Sequence, residues 1–267
     1  MKPDWGYYGT YDESAHADLW DGVVGYWAPC LGPTGLRLHD VSRYSNWGTL
    51  TNMDAPTDWV IDGGQYALDF DGSNDYVLAG NWPNIPQNGS MTIAAWVYVT
   101  STTSYRTVVT KRVGSASGAN NVNYELSFDL GSTRFGFYSG TGFTPSTSNL
   151  GTNVWGLILC SVDSTGARYF LNGVADGTST DTVGAINTAA LNIGGVALGL
   201  TQQFPGRISD LVIWNRALNA NEAARLYQLG RGGMLQRRRR RRVYAEQAGF
   251  RAHYRAQRAQ LIGGGLR

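Results

Sequence analysis

At 267 residues, 42% apolar and 12% aromatic, the chain can close a full core, and its 35 glycines predict many tight turns. No apolar run reaches the roughly 18 residues a membrane-spanning helix needs, and the opening MKPDWGYYGTYDESAHADLW is too acidic and polar for a signal peptide, so nothing here is expected to direct the chain to a membrane or the Sec pathway. The formal charge of +2 conceals an asymmetry: residues 1–230 carry 11 Lys and Arg against 19 Asp and Glu, whereas residues 231–267 carry 11 Arg against the single Glu246.

Three regions follow: an acidic, aromatic segment over 1–20, a soluble β-rich body over 21–230, and a basic tail over 231–267. In the first, Asp4, Asp12, Glu13 and Asp18, with Asp21 just beyond, lie near Trp5, Tyr7, Tyr8 and Tyr11, which suits a contact segment. Cys30 and Cys160 sit in apolar settings and read as buried free thiols. Short runs punctuated by Gly, Asn, Asp and Ser then predict strands over 66–70, 76–78, 91–99, 107–111, 124–130, 134–139, 154–162, 167–171, 190–193 and 206–214. In Thr92–Val99 both faces are apolar, which places that strand mid-sandwich or puts its second face under a loop. Asp71–Asp75 and Leu171–Val174 carry hairpin turn chemistry. Asn219 to Glu222 can cap a helix bearing Ala223, Leu226 and Tyr227, stopped by Gly230 and leaning on the sandwich edge.

Beyond it, Arg231–Leu235 reads as a Gly-rich link, followed by the run Arg237, Arg238, Arg239, Arg240, Arg241 and Arg242. Residues 243–262 can form a helix with Phe250, Tyr254 and Leu261 on an apolar stripe and Arg251, Arg255 and Arg258 on another face. A dense basic run can neutralise phosphates, yet the apolar stripe and the acidic body suit anchoring on another protein better than nucleic acid.

Four segments, Tyr66–Val77, Met91–Val97, Arg168–Val174 and Gly206–Leu218, resemble in order and spacing the laminin-G-like, pentraxin-like branch of the concanavalin A lectin/glucanase superfamily. That resemblance implies an all-β, two-sheet antiparallel jelly roll over about residues 20–230, with the basic, partly helical tail appended. The ends, Trp27–Leu36 and the arginine run closing in Ile262–Gly265, are similar to laminin-G-type proteins of tailed bacteriophages. This implies a virion setting, with other virion proteins, the major capsid or tail proteins, as partners and a homo-oligomer in the assembly.

The superfamily's glucanases need two carboxylates about 5 to 5.5 Å apart for retaining hydrolysis. Glu125 and Asp129, four residues apart in one strand, would lie about 13 Å apart, and both read as solvent-facing or turn-adjacent acids. The three histidines, His16, His39 and His253, lack metal-ligand spacing, and no phosphate-loop or dinucleotide fingerprint occurs. A non-enzymatic role follows. The pentraxin-type calcium cluster would fall in Gly194–Gly206, which holds no acid, so a structural calcium would need Asp40 with Asp210. The alternative has Asp40 capping a turn and Asp210 bonding nearby backbone. Sugar binding would use Trp47, Trp59 and Trp82, with Tyr105 and Phe143, although such aromatics also pin loops. The expected function is a capsid decoration, cement or tail protein; the alternative is a receptor-recognition lectin of a tail or spike.

Overall fold

The computed structural model describes residues 13–114, 118, 120–196 and 202–235. Among the described residues fifteen strands, numbered along the chain, form two antiparallel sheets. The eight-stranded sheet holds β1 (Val23–Trp27), β4 (Trp59–Asp62), β5 (Gln65–Asp71), β7 (Met91–Val99), β11 (Trp155–Asp163), β12 (Gly166–Leu171), β13 (Val174–Ser179) and β15 (Pro205–Trp214), in the order β13-β12-β11-β7-β15-β5-β4. The long β15 pairs with β5 through its first half and with β1 through its second. The seven-stranded sheet holds β2 (Arg37–Leu38), β3 (Gly48–Thr51), β6 (Tyr76–Leu78), β8 (Arg106–Arg112), β9 (Val122–Phe128), β10 (Phe135–Tyr138) and β14 (Leu191–Ile193), in the order β10-β9-β8-β14-β6-β3-β2.

Alternation along each strand builds the core. Ile93, Ala95, Val97 and Val99 of β7 and Ile158, Cys160 and Val162 of β11 face Tyr124, Leu126, Phe128, Phe135 and Phe137 of the other sheet. The opposite positions of the eight-stranded sheet, Ala94, Leu157, Leu159, Phe170, Val212 and Trp214, enter a second buried cluster with Leu19 and Trp20 of helix α1 (Ala17–Trp20) and Ala223 and Leu226 of the C-terminal helix. β7 is therefore central and apolar on both faces, as its sequence predicts. The C-terminal helix, Ala220–Leu229, has Asn219 and Glu222 in a reciprocal capping box and Gly230 at its end. It lies on the face of the eight-stranded sheet rather than its edge, with Tyr227 stacked on Trp96.

Two further expectations change. Asp71–Asp75 is no hairpin, because β5 and β6 belong to different sheets; it is an arch closed by the Asp71 carboxylate accepting from the Ser73 and Asn74 amides and by Asp75 accepting from the Asp71 amide. Leu171–Val174 is a two-residue hairpin, with Asn172 and Gly173 at φ 52° and 78°. Arg231–Leu235 is no loose link either. Met234 and Leu235 are buried in the second cluster, and the Met234 carbonyl accepts from the Trp20 indole. Cys160 is buried, Cys30 half-buried, and both are free thiols.

Candidate functional site

The second cluster closes the outer face of the eight-stranded sheet, which leaves the outer face of the seven-stranded sheet to consider. Its register lines up, from β2 to β10, Arg37, Thr49, Leu78, Asn192, Thr110, Glu125 and Tyr138. Ser127 and Thr107 pair with each other on the same face. The β8–β10 half is covered: the Phe143 ring packs where a Gly136 side chain would stand, and Gln202 reaches Arg112 at 3.3 Å. Arg37, Thr49 and Leu78, on the β2–β3–β6 half, are exposed.

Glu125 corrects a sequence reading. It is buried and paired with Arg112 at 3.3 Å, with one oxygen accepting from Thr110 at 2.8 Å and the other from Ser127 at 2.5 Å. A strand's outward position counts as solvent-facing only where nothing lies over it, and here loops do. Asp129 is turn-adjacent, bonding the Leu130 amide and the Arg134 guanidinium at 3.0 Å. Polar atoms on this face are also left over: Asn192 Oδ1 and Thr107 Oγ1 are buried without a hydrogen-bond partner. Asn192 sits at the boundary, between exposed Leu78 and buried Thr110.

The aromatic candidates separate. Trp47, opposite His39 at the β2 edge, stacks on it at 4.6 Å and carries the Arg37 guanidinium 5.6 Å from its centroid. Burial and the neighbouring Arg37 charge lower the His39 pKa. Trp82 lies at the sandwich end, bonded to the Val24 carbonyl at 3.0 Å and tilted against Tyr44 at 5.0 Å. Trp59 cannot stack a sugar, because it is buried in the core with its indole N–H on the Gly35 carbonyl. Tyr105, exposed, meets Phe143 edge-on at 6.3 Å.

Asp40 and Asp210 do not fit a cation. Asp40 accepts from the Tyr26, Ser42 and Asn46 amides and the Ser42 hydroxyl at 2.8–2.9 Å, so it organises the loop between β2 and β3. Burial raises its pKa against those hydrogen bonds. Asp210 accepts from the Tyr26 hydroxyl at 2.9 Å, the Cys30 thiol at 3.0 Å, Ser209, and the Gly232 amide at 2.7 Å. Burial, then the Asp210 charge, push the Tyr26 hydroxyl and Cys30 thiol well up. The two carboxylates meet opposite ends of Tyr26 and each faces donors, whereas a calcium ion needs several oxygens converging on one point. Among the described residues no group of three or more His, Cys, Asp or Glu is placed for a metal. Arg237–Arg242, Phe250, Tyr254 and Leu261 lie outside the described residues.

Sequence reasoning missed the Glu125–Arg112–Gln202 cluster and the unpartnered side-chain oxygens of Asn192 and Thr107. The alternation of polar Glu125 and Ser127 with Tyr124, Leu126 and Phe128 was the signal available for the outward face of β9; Thr110-Lys111-Arg112 carries none.

A comparison with curated protein sequences gives no match. The fold is similar to a Trypanosoma rangeli sialidase mutant displaying trans-sialidase activity, at 16% identity and a TM-score of 0.60 over 81% of this chain and 34% of that one. It is also similar to domain 4 of a GH43 extracellular arabinanase from Geobacillus stearothermophilus in complex with arabinotriose, at 19% identity and 0.58 over 77% and 98%. The botulinum neurotoxin serotype G binding domain follows at 17% identity and 0.55, over 78% and 51%. The chain spans about a third of the sialidase chains, and at these identities the likeness is one of fold. A laminin-G-type family model described as "Concanavalin A-like lectin/glucanases superfamily" matches residues 71–224, more than half of the chain and most of the sandwich. With two antiparallel sheets carrying that match, the chain belongs to the concanavalin A-like lectin/glucanases superfamily.

Proposed function

We propose that the chain is a carbohydrate-binding module that holds a glycan on the outer face of the seven-stranded sheet and leaves it uncleaved. The observation that carries this reading is Asn192 Oδ1, buried without a partner at the edge of the open half of a polar face. An unpartnered buried acceptor costs about 1–3 kcal/mol, and a sugar hydroxyl would satisfy it. Across Leu78, Thr49 and Thr51 of the next strand but one, with Trp47 and Tyr76 flanking them, supply the mix of hydroxyl and aromatic surface that suits a saccharide. The arabinanase domain, whose structure holds arabinotriose, supports the reading by analogy of fold. The absence of cleavage is proposed because both Glu125 oxygens are engaged by Arg112, Thr110 and Ser127, and Asp129 is turned to Arg134.

Leu78 is 38% exposed on the open half, so Leu78→Glu adds a charge there without emptying core. The variant should melt within about 2 °C of the parent, as surface changes do. It should bind polysaccharides at least about tenfold more weakly in a titration panel, tenfold being about 1.4 kcal/mol. Unchanged affinity would remove the face from the reading.

A second reading is attachment of the module to other proteins, such as those of a virion. The observation favouring it is that both described ends meet on the eight-stranded sheet: Trp20 bonds the Met234 carbonyl, and Arg225 pairs with Asp18. Segments beyond Glu13 and Leu235 therefore start from one side, opposite the proposed glycan face. The virion setting itself rests on the resemblance of the sequence ends. Co-sedimentation with particles lacking this protein tests it, comparing the full chain with one ending at Leu235; attachment by the full chain alone supports anchoring by the tail.

A further inference from the structure

We infer that the glycan of this face is anionic, bearing carboxylate or sulfate groups, and that Arg37, at the β2 end of the face, recognises the charge. The inference rests on the glycan reading above and names the class of sugar. Six arginines among the described residues lie over aromatic rings: Arg37 on Trp47, Arg43 on Tyr44, Arg106 on Phe128, Arg112 on Tyr138, Arg207 on Tyr98 and Arg231 on Trp155. Four of the six direct their N–H groups inward. Arg106 donates to the Ser101, Asp129 and Ser132 carbonyls, Arg112 to Glu125 and Gln202, Arg207 to Asp62 and Asp69, and Arg231 to the Asp62 carbonyl. Arg37 and Arg43 are exposed, and neither guanidinium has an ion pair or side-chain hydrogen bond among the described residues.

Stacking holds a guanidinium against a ring, here at 5.6 and 5.2 Å, while its N–H groups stay available at the edge. That planar fork matches a carboxylate or sulfate with two parallel hydrogen bonds, and stacking restricts the rotamers that binding would otherwise have to order. Of the two, Arg37 stands on the open face, in register with Thr49 of β3. Arg43 stands in the loop that Asp40 fixes through the Ser42 and Asn46 amides at 2.8 Å, next to the pairing of Asp40 with Trp27 of the eight-stranded sheet. Arg43 and Ser42 also line a surface cleft of 320 Å³ beside Trp20; the acid of that cleft, Asp21, approaches Arg216 at 3.8 Å. Residues 1–230 carry eight more acids than bases, so two unpaired arginines on aromatic rings are a local feature and not a sample of a basic surface.

The test uses the full chain with Arg237–Arg242, Arg251, Arg255, Arg258 and Arg267 replaced by Ser, so that the tail cannot hold the polyanion. Polygalacturonate, dextran sulfate, neutral arabinan and a DNA duplex are titrated into it and into the same protein carrying Arg37→Gln, with Arg43→Gln added so that no unpaired stacked arginine remains elsewhere on the described surface. The expected result is binding of polygalacturonate or dextran sulfate, whichever is preferred naming the group, with arabinan and DNA at least about tenfold weaker. The double variant should lose at least about tenfold in affinity for the anionic polymer, with its melting temperature unchanged. Equal binding of arabinan with no effect of the double variant overturns the inference and leaves the glycan reading intact. Equal binding of DNA, lost in the double variant, overturns it in favour of a general polyanion surface. Binding of none of the polysaccharides overturns both.

Discussion

Asp75 shows how a single carboxyl can tie the arch between the sheets to pH. Its side chain is buried, one oxygen accepts from the Asp71 amide at 2.9 Å, and burial, reinforced by the charges of Asp71, Asp58 and Asp69, moves its pKa from 3.8 up to about 6. A raised carboxyl binds its proton more tightly in the folded chain, so its contribution is complete below the ordinary value and is lost as the pH rises through about 6. Asp75→Asn, fixed in the neutral form, should therefore gain on the parent by about 1–2 kcal/mol between pH 4 and pH 8. Thermal melts of both proteins at pH 4, 6 and 8 check this; a constant difference would contradict it. At this scale the sequence was least legible. Composition marks Trp59 as a sugar platform and Glu125 as a surface acid, and only packing reveals that one is core and the other a buried ion pair. The cap and backbone roles weighed for Asp40 and Asp210 are the ones their hydrogen bonds fit.

At the scale of elements, alternation and turn chemistry were enough wherever a strand is long and buried. β6 and β7 have the predicted bounds, and the other eight predicted strands differ at their ends by one or two residues. β2 escapes notice because two residues hold no period, β13 because Val174–Ser179 is mostly polar, and β1, β3 and β4 lie before or at the margin of the recognisable alternation. The arch at Asp71–Asp75 was misread because its residues suit a hairpin equally well, and which sheet the next strand joins is decided by distant partners. The final turn, Gly233–Leu235, looked like a linker from its glycines, yet its two apolar side chains complete the second cluster and the adjacent Gly232 amide binds Asp210. Ending the chain at Gly230 should therefore cost at least about 3 kcal/mol, since removal of a buried Met or Leu side chain costs about 2–5. Ending it at Leu235 should leave the melting temperature within about 2 °C of the full chain. Equal stability of the two truncations in a thermal melt would contradict the docking of this turn.

For the whole molecule, the layers give the sandwich two unlike sides. Helices and both described ends close one sheet with an apolar cluster, and the other sheet presents a polar face, half covered and half open, edged by Arg37 stacked on Trp47. The fold class was legible because four segments carry the family pattern, and the family match over residues 71–224 bears it out. The side that holds a ligand was not legible, since it depends on which sheet the terminal helices cover. Hydrogen–deuterium exchange of the full chain, with and without saturating polygalacturonate, tests that account most directly. Slowed exchange at residues 36–51 and 76–78 is the predicted result; protection confined to residues 216–235 would contradict it.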